Sequence, residues 1–337
     1  MIPKPQHILS VMVVALNEAK HVAGLKDALD HLHLPEGWSL ETILIDGGSR
    51  DGTVEAAREA GFDECQVHSG ASIPVCRNHA LRAARGNALA FLDGDCVPDK
   101  DWLVHAAPWL LKPRPVLIGY PVAPPATGNW IHRAWQAHWH HKNPAAAAGG
   151  GEPVTTEAFR LITTRNLLFN RALLGVVPAF DETLTTGEDT DFAFRAAQAG
   201  CEVAALPALR VAHLGEPATL REYYRQQLWH ANRKAYATIL KSSGGKSGAN
   251  AIFFSLAFLA ALCLAFLGAV LAGLFSPWYL FLATPLVLVT AGPAALIADR
   301  ANSPILFLRL TVLYFLYGLA RSVDLVGLSP RKKSWKS

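Results

Sequence analysis

The feature that most limits what this chain can become lies in its last quarter. From Ala251 to Phe275 the sequence carries no charged residue and is apolar almost throughout. An α-helix rises about 1.5 Å per residue, so a run of this length crosses the ~30 Å of hydrocarbon in a bilayer. A second such run covers 278–298, and a third covers 304–320 with Arg309 inside it. An arginine at that depth has to snorkel, pair or sit near the interface. Two domains are expected: one over 1–240, and a membrane domain over 241–337 of two or three transmembrane or interfacial helices. The basic run Arg331-Lys332-Lys333 favours the cytoplasmic side. Three full crossings would part that run from the first domain; two crossings and an interfacial third segment would keep both on one side.

Composition excludes several classes. Apolar residues make up 51% of the chain and charged residues 17%, too greasy for a simple soluble enzyme, and the excess gathers after about Gly248. The net charge of +4 is mild and no Lys/Arg stripe interleaves with aromatics, so no nucleic-acid partner is expected. The five cysteines are scattered and form no C-x-x-C pair, which fits a reducing compartment. Cys96 reads as a small buried residue. Met1 to Ser10 lacks the apolar core of a signal peptide, so the polar part is expected to stay in the cytoplasm.

The first hundred residues alternate between two periodicities. Ile8 to Leu16 reads as a buried strand, 19–31 as a helix and 41–45 as a second strand. That strand ends in Asp46-Gly47-Gly48-Ser49-Arg50-Asp51-Gly52-Thr53, a turn sequence in which Asp51 or Thr53 can cap a helix over 54–60. Residues 65–67 suggest a short strand and 74–85 a helix closed by Gly86. Such alternation predicts an α/β fold with a mostly parallel sheet. No G-x-G-x-x-G follows the first strand, so a nicotinamide dinucleotide fingerprint is missing.

The next strand, Ala88 to Leu92, ends in Asp93-Gly94-Asp95. Ligands of open α/β sheets bind off the carboxyl ends of the strands. Two carboxylates there suit a hard divalent cation carrying a diphosphate. Further polar clusters follow: Arg165-Asn166, Phe180-Asp181-Glu182 and Gly187-Glu188-Asp189-Thr190-Asp191, the last opening a helix through 192–199. His213 follows a probable strand over 209–212. Between these lies a Pro-, Trp- and His-rich segment, 121–160, expected to be a loop system or an interfacial helix. Its Trp130, Trp135 and Trp139 suit a membrane interface, a sugar platform or packing. Its histidines (132, 138, 140, 141) match no known zinc spacing.

Taken in order, Leu16-Asn17-Glu18, Asp46 to Thr53, Arg77-Asn78 with Asp93-Gly94-Asp95, and Gly187-Glu188-Asp189 resemble the family-2 glycosyltransferases of the GT-A fold, over about 8–235. The resemblance is to the membrane-anchored bacterial type that builds polysaccharides or glycolipids. It implies a Rossmann-like, nucleotide-sugar-binding mixed sheet and usually an inverting transfer. By the same resemblance Asn17 and Glu18 lie at the nucleoside and Asp46 at the base, typically uracil. Arg77 is a candidate phosphate contact. Asp93 would handle the ribose and Asp95 a divalent Mg²⁺ or Mn²⁺, with His213 a candidate further ligand. Asp189 or its neighbour Glu188 would be the catalytic base, and 165–171 matches a segment between donor and acceptor sites.

The chemistry supports such roles. A departing nucleoside diphosphate gains negative charge in the transition state, where a bound cation helps most. An acceptor hydroxyl must lose its proton as it attacks, and a positioned carboxylate that takes it is worth ~10²–10⁴-fold. Residues 189 and 191 cannot share a helix face, so at most one is the base. Asp191 reads as a helix-terminus charge, and Asp46 and Asp51 could be turn and cap residues.

The family's Pro-x-Tyr-Asn-Glu keeps only Asn17-Glu18 here. The Q-x-x-R-W of processive relatives is replaced by Gln226-Gln227-Leu228-Trp229, which favours one sugar per event. The expectation is a metal-dependent hexosyltransferase using a UDP-sugar and a lipid-linked or glycan acceptor. It would be a multi-pass protein of the inner membrane with its catalytic domain in the cytoplasm, in contact with membrane lipid. The alternatives are a polyprenyl-phosphate sugar synthase, and a non-catalytic scaffold or transport component. Transport would need polar residues within the spans, and 251–275 offers only Ser255 and Cys263.

Overall fold

The computed structural model describes residues 6–142, 152–184, 187–230 and 249–327. The basic run at 331–333 and the small-residue stretch 145–151 lie outside them. The described chain forms two compact units, the first from 6–125 and 152–215, the second from 126–142, 216–230 and 249–327. By packing, the Trp/His segment therefore belongs with the apolar helices, whereas composition alone places the change after about Gly248.

The first unit is built on strands β1 (His7–Ala15), β2 (Trp38–Asp46), β3 (Glu64–Val67), β4 (Ala88–Asp93), β6 (Val116–Gly119), β7 (Leu167–Asn170) and β8 (Glu202–Ala205). They form one sheet in the order β3-β2-β1-β4-β7-β6-β8. The first four are parallel, β7 runs antiparallel to both β4 and β6, and β6 is parallel to β8. Helices α1 (Ala19–Asp30), α2 (Thr53–Glu59), α3 (Ile73–Ala83), α4 (Trp102–Leu110) and α6 (Glu188–Gln198) join the strands. β1 and β4 are buried along almost their whole length, which is why they read as unbroken apolar runs rather than alternating ones. A second, two-stranded sheet pairs β5 (Cys96–Pro98) with β9 (Val211–His213).

β2 starts three residues earlier than its apolar pattern suggests, because a buried carboxylate interrupts that pattern. Glu41 lies opposite Ser10 in the register. Its Oε2 accepts from Ser10 Oγ at 2.5 Å and from the Arg85 amide at 2.8 Å, and its Oε1 accepts from Arg85 Nε at 2.5 Å. The Gly86 amide closes the cluster on Ser10 Oγ at 2.8 Å.

The second unit holds α5 (Trp130–Lys142), α7 (Leu220–His230), α8 (Ala249–Leu274), α9 (Thr284–Arg300) and α10 (Pro304–Leu325). Among the described residues, three segments are long and apolar enough to cross a membrane: Ile252–Leu274, Pro277–Arg300 and Pro304–Val323. The middle one is not a single α-helix: Pro277–Ala283 is a 3-10 turn, after which α9 opens with Pro285 in its first turn. Many of their large side chains point outward, Trp278 at 86% exposure among them. Arg309 is paired, its guanidinium lying 5.8 Å from the centroid of the Trp130 ring. Trp135 packs among His138, Tyr223, Tyr314 and Tyr317. His138 Nδ1 is 2.6 Å from the Tyr314 hydroxyl, and His132 Nδ1 accepts from the Asn129 amide.

Candidate active site

The register places the carboxylates. Ala15, at the end of β1, lies opposite Asp46, and Val14 lies opposite Asp93. Asp46 and Asp93 therefore flank the same strand end, two interstrand spacings or about 10 Å apart. The two loops leaving β1 and β2 hold each other. Asn17, at φ +58°, donates its amide to Ser49 Oγ at 2.7 Å and accepts the Arg50 amide on Oδ1 at 3.1 Å. The Glu18 amide donates to Thr53 Oγ1 at 2.8 Å. Asp46 is buried; its Oδ1 accepts the amides of Gly48 and Ser49, each at 2.8 Å, and its Oδ2 accepts the Ser49 hydroxyl. This turn and α2 border a cavity of ≈ 480 Å³ whose wall includes Asp46, Ser49, Arg50, Arg58 and Ser69.

Asp95 is fixed from three sides. β5 follows it at once, and pairing with β9 sets Cys96 opposite His213. The Leu214 amide donates to the Asp95 carbonyl at 2.8 Å, and His213 Nε2 lies 3.2 Å from Asp95 Oδ1. Both side chains are buried. A Cβ on Gly215 would sit 2.0 Å from Asp95 Oδ2, so only glycine leaves this carboxylate its place. A Cβ on Gly94 would meet the Glu18 side chain at 3.0 Å, which seats Glu18 against the turn between the two aspartates. Burial would raise the Asp95 carboxyl, but the hydrogen bond and charge of His213 outweigh it and hold the carboxyl below its usual range.

This donor set fits a divalent cation. Cis ligands of an octahedral ion at about 2.1 Å stand about 3.0 Å apart, close to the observed 3.2 Å between Asp95 Oδ1 and His213 Nε2. Cys96 Sγ completes a group of atoms within 4.8 Å of one another. Burial first, and the charges of Asp93 and Asp95 next, push its thiol well up. It stays a neutral member of the core, and oxygen and imidazole are the available ligands.

A second cluster faces these aspartates. Arg77 on α3 is buried and forms an ion pair with Glu188, the first residue of α6. Burial opposes the charge on Arg77, but Glu188, Asp189 and Asp93 together outweigh it and hold the guanidinium protonated. Burial pushes the Glu188 carboxyl up against the pull of Arg77, and burial likewise raises Asp93 against Arg77. Asn78 secures the same loop. Its Nδ2 donates to the Phe180 carbonyl at 3.0 Å and to Glu182 Oε1 at 2.9 Å, and its Oδ1 accepts the Phe180 amide at 2.9 Å. Asp189 is half-buried and its Oδ1 accepts the Thr190 amide at 2.7 Å. Asp191 is tied to Arg195 Nε at 2.7 Å.

Two further neighbours lie in this field, and of these the sequence singled out Arg165, within 165–171, but not His21. His21, one turn along from Glu18, lies in the field of Asp95 and His213, its ring nitrogen lowered by burial first and then by Lys20. Arg165 acts on both Asp93 and Cys96. The segment around Arg165 is otherwise scaffolding. Asn166 accepts from Trp102 Nε1 at 2.9 Å and donates to the carbonyls of Tyr120 and Leu209, while Arg171 donates to the carbonyls of Ala84 and Gly86. A Glu-x-x-His pair after the first strand could have pointed to His21.

Residues 10–167 match the family described as Glycosyl transferase family 2. The glycosyltransferase AglE of Haloferax volcanii is 26% identical over 57% of this chain and 62% of its own length. A glucosyl-3-phosphoglycerate synthase of Mycolicibacterium paratuberculosis is 26% identical over 44% of this chain and 42% of its own. The matches thus span less than two thirds of either relative. A mannosyltransferase from Pyrobaculum calidifontis, PcManGT, solved with GDP-Man and Mn²⁺, superposes with a TM-score of 0.57 at 19% identity, covering 95% of this chain and 89% of that one. That likeness shows the fold: the sheet with its antiparallel β7 is the mixed α/β sheet of the GT-A class.

Proposed function

We propose that the protein is an inverting glycosyltransferase. It moves a sugar from a nucleotide-diphosphate donor to a lipid-linked or glycan acceptor. The carrying observation is the buried Asp95–His213 pair at the end of β4, where Asp93, Arg77 and Asp189 share one electrostatic field. Residues over 1–240 would form the catalytic domain, and 241–337 the membrane domain with its candidate spans. Catalysis would take place at the cytoplasmic face of the inner membrane.

Asp95 and His213 would hold the cation, Mg²⁺ or Mn²⁺. Bound there, it would stabilise the charge that develops on the departing diphosphate. Asn17, Glu18 and Asp93 would line the nucleoside. Arg77 would act on the donor through the carboxylates it orders rather than by direct phosphate contact, because its guanidinium is committed to Glu188. The same pairing leaves Asp189 as the base that accepts the acceptor's proton, with Glu188 positioning it.

Asp46 favours uracil. A carboxylate has about four acceptor sites, and the Asp46 turn uses three of them, leaving one on Oδ2. That suits the single imide N–H of uracil; guanine presents two adjacent donors and would need both oxygens. PcManGT was solved with GDP-Man, so the base is the point to test.

The test is nucleoside-diphosphate release from a panel of UDP- and GDP-sugars by the full-length protein in nanodiscs. Mn²⁺ or Mg²⁺ and a lipid extract as acceptor source would be present. We expect metal-dependent release from a UDP-sugar that Asp95→Asn and Asp189→Asn each abolish. Release from GDP-sugars alone would refute the base assignment. No release and no metal-dependent nucleotide binding would refute the enzyme.

A further inference from the structure

β7 runs antiparallel to β4, with Leu167 opposite Phe91, so it enters the sheet at the end where β4 leaves it for Asp93-Gly94-Asp95. The chain reaches that end through a turn over 163–166, closed by the Asn166 amide on the Thr163 carbonyl at 2.9 Å. Asn166 pins the turn further, through Trp102 Nε1 and the carbonyls of Tyr120 and Leu209. A Cβ on Gly119 of β6 would sit 2.3 Å from the Asn166 carbonyl oxygen, so the turn lies flat against a strand position that has no side chain. Thr164 and Asn166 are buried, and Arg165 between them is half-buried. A rigid turn thus carries one long cationic side chain at the rim that holds the carboxylates.

The charge of Arg165 is felt at two places on this rim. It acts on the buried Asp93, and on Cys96, which faces His213 across the β5–β9 ladder. The proposed donor is an anion that must approach Asp93, Asp95, Glu188 and Asp189. Arg77 is paired with Glu188, so a cation on Asp95 would still meet a strongly acidic rim. We infer that Arg165 binds the diphosphate of the nucleotide-sugar donor, its planar fork of N–H groups holding phosphate oxygens on the Asp93 side of the candidate cation site. The inference rests on the proposed transfer and names a donor contact within it. When the bond from the anomeric carbon to the diphosphate breaks, its electron pair passes to the diphosphate oxygen. The contact with Arg165 therefore strengthens in the transition state, where it lowers the barrier.

The test compares UDP with uridine by calorimetry on the full-length protein in nanodiscs with Mn²⁺. Uridine lacks only the diphosphate, so the difference between the two ligands reads the proposed contact. Arg165→Gln should weaken UDP by about 10–100-fold, the worth of a hydrogen bond to a charged group, and leave uridine unchanged. Arg165→Lys keeps the charge without the fork and should recover part of the loss. GDP and guanosine take their places if the protein prefers guanine. A residue that merely held the turn or Asp93 in place would weaken uridine as much as UDP, and that result would overturn the inference. So would UDP affinity unchanged by Arg165→Gln. If that variant does not fold, phenylglyoxal modification of the wild-type protein, mapped by mass spectrometry, decides. UDP should protect Arg165 and uridine should not; modification of Arg165 indifferent to UDP would overturn the contact. Wild-type protein that binds neither nucleotide would refute the proposed transfer and this inference with it. UDP binding that ignores Arg165 would refute the inference alone.

Discussion

Gly215→Ala probes the candidate metal site without touching a ligand. Gly215 has no positive φ, so alanine brings only a methyl group, and that methyl would lie 2.0 Å from Asp95 Oδ2 and 3.6 Å from His213 Cε1. Ordinary contact begins near 3.4 Å, so the carboxylate has to retreat by about 1.4 Å, and a misplacement of about 1 Å near a reacting centre costs about 10²-fold. The imidazole, already at ordinary contact distance, need not move. The retreat breaks the 3.2 Å spacing to His213 Nε2 while leaving all the candidate ligands in the sequence. We expect Mn²⁺ affinity, followed by electron paramagnetic resonance of the free ion, to fall about 10–100-fold. Turnover at subsaturating Mn²⁺ should fall with it and recover in part at high Mn²⁺. Far-ultraviolet circular dichroism and nucleoside binding without metal should be unchanged. Wild-type Mn²⁺ affinity in a folded variant would refute the assignment of Asp95 as a ligand.

Two further outcomes follow from buried charges. Arg77→Met leaves Glu188 buried without its partner, a loss of about 3–5 kcal/mol, while Arg77→Met with Glu188→Leu should regain most of it; thermal unfolding in detergent compares the two, and equal destabilisation would refute the pair's role in stability. Ser10, the Arg85 amide and the Arg85 guanidinium outweigh burial and hold the Glu41 carboxyl below its usual range. Its stabilisation is therefore full above the unfolded value of about 4.3 and fades as pH falls through the folded value. Glu41→Gln should lower Tm at pH 7, and the gap to wild type should narrow below about pH 4; a gap that stays constant would refute the assignment.

Much of the first unit was legible because its central strands are buried on both faces and end in polar turns. Ile8 to Leu16 and Ala88 to Leu92 could hardly be read otherwise, and the parallel order brings Asp46 and Asp93 to one edge. What escaped was set by contacts remote in sequence. β2 hides its first residues because Glu41 is a charge made tolerable by Ser10 and Arg85. Arg77 reads as a candidate phosphate contact until Glu188, 111 residues on, is placed beside it. The Trp/His segment, with tryptophans at helical spacing, left a loop system and a helix both open, and α5 forms because its aromatic face finds Tyr223 and Tyr314. The 3-10 turn before α9 was invisible to hydropathy, which does not distinguish one helical winding from another.

The turn at Asp46 has a thermodynamic consequence. Its carboxylate is already bonded to Gly48 and Ser49, and Asn17 already braces Ser49 and Arg50 from the neighbouring loop. The ordering of these residues is therefore charged to folding, and a nucleoside that docks there meets a wall with little conformational freedom left to lose. Calorimetry on the nucleoside alone should show an enthalpy of binding that is not offset by a large unfavourable entropy, the signature of a rigid receptor.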